Sequence, residues 1–137
     1  MSSILRIITV RTYDVAIASL AIDAPVKWTD NLLAHHHIPD VVLERRGVSR
    51  KISHAALLRL ALIRELNMQL NVGIRDAVSI AARLWAHEGG QQFGALHLSV
   101  EHEELVRAVE RRLRDALESA PAPRRGRPVR RGLTVVD

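Results

Sequence analysis

Residues 28–53, WTDNLLAHHHIPDVVLERRGVSRKIS, join two different periodicities, and the point where one gives way to the other decides the fold. Pro39 marks that point, because proline drives the preceding residue away from the α region and ends a helix. Upstream of it, residues 25–37 placed at 100° per residue put Trp28, Leu32, Pro25, Leu33 and Val26 on one arc, which faces the rest of the protein. The opposite arc carries Lys27, Asp30, Asn31 and Ala34, flanked by His35 and His37. Downstream, VVLERRGVSRKIS (41–53) has two β-branched runs around a turn signal at Arg46-Gly47, so it reads as a hairpin with basic residues Arg45, Arg46, Arg50 and Lys51.

Working outward, Asp14 is an N-cap for VAIASLAI (15–22), and Asp23-Ala24-Pro25 closes that helix before a second one runs from Pro25 to His36. Ser53 caps HAALLRLALIRELNMQL (54–70), which Asn71 and Gly73 stop. IRDAVSIAARLWAHE (74–88) follows with one apolar stripe and ends at Gly89-Gly90. FGALHLSV (93–100) alternates as a short strand able to pair with ILRIITV (4–10). Ser99 then caps EHEELVRAVERRLRDALESA (101–120), whose Val106, Val109, Leu113, Ala116 and Ala120 form a heptad-like seam. Such a helix folds back on its own domain or pairs with a second copy, and the dimer is the expectation. The expected architecture is mainly α with a small β component: a winged helix-turn-helix over 1–90, a strand and dimerisation helix over 91–120, and a disordered Arg-rich tail over 121–137.

Composition bounds the rest. At 137 residues, 47% hydrophobic and 3% aromatic, the chain has the size of one domain with a core of Leu, Ile, Val and Ala. It contains no cysteine, which excludes disulfides, thiolate metal sites and a cysteine nucleophile. The N-terminal MSSILRIITV does not read as a signal peptide, and no window approaches a membrane span, so a cytoplasmic, nucleoid-associated protein is expected. Of the net charge of +5, residues 121–137 hold +4, from five arginines and one aspartate. Guanidinium groups in a Pro/Gly-rich segment suit phosphate oxygens, so this tail, with Arg124, Arg125 and Arg127, is expected to add affinity for nucleic acid without reading sequence.

Two other chemistries find little support. His35, His36 and His37 are consecutive, so on a helix they diverge by about 100° and do not converge on one ion, and His54, His87, His97 and His102 are scattered. No metal and no cofactor is expected. The glycine-rich GGQQFG (89–94) lacks the lysine and Ser/Thr of a phosphate loop, and the carboxylates of 101–118 are interleaved with arginines, with Glu103–Arg107 and Glu110–Arg114 at i,i+4. The chain is not expected to be an enzyme.

A helix, a tight connection, a second helix with a polar outer face, a basic hairpin and two core helices follow the order of a winged helix-turn-helix. Over residues 12–86 the chain resembles the DNA-binding domain of the MerR family of bacterial transcription regulators. The likeness lies in Tyr13-Asp14-Val15 opening the first helix with Ala18 inside it, the second helix ending at His37-Ile38, the wing ERRGVSRKIS, and HAALLRLALIRELNMQLNVGIRDAVSIA as the third and fourth helices. The resemblance implies a groove-facing role for 26–37, a backbone-gripping wing, and dimerisation through 101–120; metal or drug sensing of the family's type is not expected. Lys27, Thr29, Asp30, Asn31, His35, Arg45, Arg46, Arg50 and Lys51 are the candidate contacts to double-stranded DNA, with Lys27 and Asn31 nearest the base edges. The expected function is sequence-specific transcriptional regulation as a homodimer. The alternatives are an architectural or recombination-accessory DNA-binding protein, or a protein-interaction module such as an antitoxin that binds a protein partner.

Overall fold

A computed structural model of the chain describes residues 11–42 and 50–119. Among these the fold is mainly helical with a small β component. In chain order come β1 (Thr12–Tyr13), α1 (Val15–Ala21), α2 (Val26–His35), β2 (Val41–Val42), β3 (Lys51–Ser53), α3 (His54–Gln69), α4 (Ile74–Ala86), β4 (Gln91–Phe93), β5 (Leu96–Leu98) and α5 (His102–Ser119). No helix of the described residues is long and apolar enough to cross a membrane.

The turn between α1 and α2 shows how a short sequence sets a helix pair. Asp14 caps α1, its carboxylate accepting from the Ile17 amide at 2.9 Å. At the other end the Asp23 amide donates to the Leu20 carbonyl (3.2 Å) and the Ala24 amide to the Ser19 carbonyl (2.9 Å). This is the paired bonding of a Schellman ending, and it places Asp23 at φ 60°, where glycine is the usual residue. Aspartate tolerates the left-handed region better than most L-residues, but not without strain. Asp23→Gly is therefore expected to raise stability by about 0.5–1 kcal/mol, and Asp23→Val to lower it by at least as much, as read by thermal denaturation. Pro25 then stands at the N-cap of α2, just outside the helix.

β1, β3 and β2 form an antiparallel three-stranded sheet in that order, with Tyr13 and Val41 both opposite Ile52. The β2–β3 ladder, Val41↔Ile52 and Val42↔Lys51, gives the expected hairpin its base. Ser53 caps α3 through a bond from the Ala56 amide at 3.1 Å. Its hydroxyl also donates to the Asp40 carbonyl at 2.9 Å. Asn71, at φ 57°, takes the left-handed position that stops α3, whereas Gly73 is the N-cap of α4.

Two expectations need correction in the second half. Residues 93–100 are not one strand. Gly94, at φ 63°, opens a two-residue loop that folds β5 onto β4, pairing Phe93 with Leu96 and Gln91 with Leu98, so the GGQQFG segment supplies a strand as well as a linker. Gly90 is held to glycine by its φ of 100° and by the Leu98 carbonyl oxygen, 2.6 Å from where a Cβ would sit. The proposed partner, residues 4–10, lies outside the described residues.

The second correction concerns α5. Its helix starts at His102, with the Leu105 amide bonding the Glu101 carbonyl, so Ser99 is not its cap. Leu105, Val109, Leu113 and Ala116 are buried within the chain, and α5 packs along α1 and against α3. Leu105, Val109 and Leu113 belong to the same apolar cluster as Ile22, Ile52, Leu57, Leu60 and Ile63. Of the seam read as a dimer contact, Val109, Leu113 and Ala116 therefore serve the protein's own core, and Val106 is only half-buried at its edge. Ala120 and the Arg-rich segment 121–137 lie outside the described residues.

Candidate nucleic-acid interface

α2 is fixed on its inner side by three independent devices. Leu32 and Leu33 are buried, at 2% and 8% exposure. Thr29, completely buried, accepts a 2.7 Å hydrogen bond from Ser19 of α1 and directs its own hydroxyl toward the Pro25 carbonyl at 3.5 Å. Thr29 is thus an interior residue, and its place among the candidate DNA contacts is withdrawn: at 100° per residue it lies opposite Lys27 and Ala34. Finally the Arg64 guanidinium of α3 stacks 4.9 Å over the Trp28 ring while its Nε donates to the Asp23 carbonyl at 3.0 Å. One side chain therefore ties both the turn and α2 to α3.

The buried hydroxyl pair yields a sharp stability test. Thr29→Val leaves the buried Ser19 hydroxyl without its partner, which is expected to cost about 1–3 kcal/mol, and Ser19→Ala leaves Thr29 with only the 3.5 Å approach to the Pro25 carbonyl, whereas the double substitution removes both groups and costs markedly less than the sum. A double-mutant cycle in denaturant measures the coupling. Equal, additive losses would contradict the Ser19–Thr29 bond.

The outer side of α2 stays open. Lys27, Asp30, Asn31, Ala34 and His35 are all exposed, and among the described residues nothing hydrogen-bonds the side chains of Lys27 or Asn31. His35 donates from Nδ1 to the Asn31 carbonyl at 2.9 Å, which orients its ring along the helix. His36 is the half-buried C-cap and His37 is exposed beyond it.

The hairpin root adjoins this face. Arg50, just before β3, points NH1 at Asp30 Oδ1 across 3.8 Å; the two side chains are 28% and 51% exposed. The Arg50 Nε is buried with no hydrogen-bond partner, so the guanidinium is sunk at one edge and reaches out at the other. Lys51, next to it, is exposed. Lys27 and Lys51 are the two lysines of a chain whose other basic side chains, histidines aside, are all arginine. Arg45 and Arg46, like Arg124, Arg125 and Arg127, lie outside the described residues.

Several supporting side chains carried no signal of their own in the sequence. Arg59 lies 4.6 Å from the Trp85 ring and 3.5 Å from Asp40 Oδ2, bracing the segment between α2 and β2. That approach to Asp40 is an ion contact without hydrogen-bond alignment, since the same Nε is buried and unpaired. A helical arginine on the edge of an apolar stripe, as Arg59 and Arg64 are, is the one pattern that points to such braces. On α5, Arg107 bonds Glu104 at 3.2 Å, three residues away, in place of the i,i+4 partner Glu103.

A groove of about 400 Å³ lies apart from this face, lined by Leu66, Leu70 and Leu84, by Leu98 and Val100, and by Leu105, with Glu65, Glu101 and Glu104 at its polar margin. No protein-family model, curated protein or solved structure matches the chain.

Proposed function

We propose that the protein is a winged helix-turn-helix DNA-binding protein that places α2 in the major groove and acts as a sequence-specific regulator. The observation that carries this reading is the Asp30–Arg50 approach of 3.8 Å, which puts the base of the basic hairpin beside the exposed polar side of α2. A groove-entering helix and a backbone-gripping wing must share one surface, and the nearness of Arg50 to Asp30 supports that arrangement. The order of elements, β1 through α4, also follows that of the MerR-type domain that the sequence resembles.

Lys27 and Asn31 are the side chains for base edges, a lysine suiting guanine and an amide suiting adenine. Lys51 serves the backbone, joined by Arg45, Arg46 and the 121–137 segment. Nothing in folding stability calls for lysine at both 27 and 51, since exposed ion pairs contribute about 1 kcal/mol or less. Pairing of two copies on a palindromic site belongs to this reading, but through surfaces other than the buried stripe of α5.

Selection from a random duplex library by the full chain tests the proposal. The expected result is enrichment of one short motif with micromolar or tighter affinity at moderate salt. Capture of all sequences alike would point instead to an architectural DNA-binding protein, and no retention of duplex at all would leave the protein-interaction reading.

A further inference from the structure

An acidic side chain on a face meant for DNA calls for a reason. Asp30 lies at one edge of the exposed arc of α2, beside Lys27, and is half exposed, where a carboxylate repels phosphate. Among the described residues, Arg50 NH1 lies 3.8 Å from it, close enough to offset its charge and too far for a hydrogen bond. Among the described residues its oxygens accept no hydrogen bond, so their lone pairs remain open to an incoming donor.

The major groove offers two exocyclic donors, the N4 amine of cytosine and the N6 amine of adenine. Adenine sets its N7 acceptor beside N6, and that lone pair opposes a carboxylate. Cytosine has no acceptor there, and its partner guanine presents O6 next to the cytosine amine, the two being hydrogen-bonded to each other at about 2.9 Å. A C·G pair therefore displays a donor and an acceptor side by side. Asp30 Oδ1 and Arg50 NH1 display the complementary acceptor and donor, 3.8 Å apart.

We infer that Asp30 and Arg50 act as one unit that reads a single C·G base pair, Asp30 accepting from cytosine N4 and Arg50 donating to guanine O6. This rests on the DNA-binding reading above. The anchoring of Arg50 suits such a role, since its buried Nε leaves one end of the guanidinium to present and little freedom is lost when a base arrives.

Duplex selection is repeated with full-length Asp30→Ala, Asp30→Asn, Arg50→Ala and the Asp30→Ala/Arg50→Ala pair, with thermal melts alongside. The wild type is expected to require C·G at one position by about tenfold or more over each other pair. Asp30→Ala and Arg50→Ala should each erase that requirement at the same position and spare the others, with the double variant no worse there than either single one. Asp30→Asn should move the preference at that position toward A·T. If the motif of every variant keeps its C·G requirement while overall affinity or melting temperature shifts, the pair is a surface tie or a backbone contact and the inference fails with DNA binding intact. If the wild type retains no duplex, the DNA-binding reading falls and takes this one with it; if it retains all duplexes alike, DNA binding stands and this inference fails.

Discussion

Val109→Asp is expected to unfold the protein. The side chain is 1% exposed within the apolar cluster that α5 shares with α1 and α3. Its replacement forfeits about 1.5–3 kcal/mol of apolar burial and forces a carboxylate into a site with no partner, at a further cost of several kcal/mol. Together these approach the whole stability of a small domain, about 5–15 kcal/mol. Circular dichroism and sedimentation separate the outcomes. The expected observation is loss of the helical signal and of cooperative melting; a variant that stays fully helical and merely halves in mass would show that the stripe joins two copies after all. Leu117→Asp is the control, because Leu117 lies on the same helix with 39% exposure and should leave the melt nearly unchanged.

Lys27→Glu combined with Lys51→Glu is expected to weaken duplex binding by about a hundredfold, roughly 2.7 kcal/mol, without a matching change in stability. Both side chains are exposed, so their reversal disturbs no packing, and each turns an attraction for the polyanion into a repulsion. The two singles should differ in kind. Lys51→Glu lowers affinity for all sequences and flattens the plot of log K against log salt by roughly one phosphate's worth, about 0.9. Lys27→Glu alters which bases are preferred. Since these are the two lysines of the chain, amine-reactive labelling followed by mass spectrometry reads the same surface directly. Bound duplex should protect both, and labelling of both at an unchanged rate in a saturated complex would place the nucleic acid elsewhere.

The helices were legible because each carries its own punctuation. Asp14 and Ser53 cap as residues of their type do, and Pro25 and Pro39 bracket α2 within a residue of where it begins and within a few of where it ends. The hairpin base, too, followed from β-branched runs on either side of a glycine. What misled was local pattern with two tertiary solutions. The apolar repeat of α5 is the same whether a second copy or the chain's own α1 covers it, and only the folded arrangement selects the cover. FGALHLSV alternates over its length, but a left-handed Gly94 in the middle breaks it into two sides of a turn. At the candidate face, helical geometry correctly separated Lys27 and Asn31 from Leu32 and Leu33. Thr29 was misplaced because threonine is polar, and polarity alone does not tell an outward hydroxyl from one bonded to Ser19 across ten residues. The Asp30–Arg50 approach spans two elements and has no periodic trace.

Arg64 adds an outer tie to the buried contacts that hold α2. Because a single guanidinium meets the Asp23 carbonyl and the Trp28 ring together, a roll of α2 about its long axis disturbs its seat on α3. The azimuth of the exposed arc is thereby tied to α3. On the proposed DNA-binding reading, repacking α3 against α5 would re-aim the arc and exchange one preferred sequence for another.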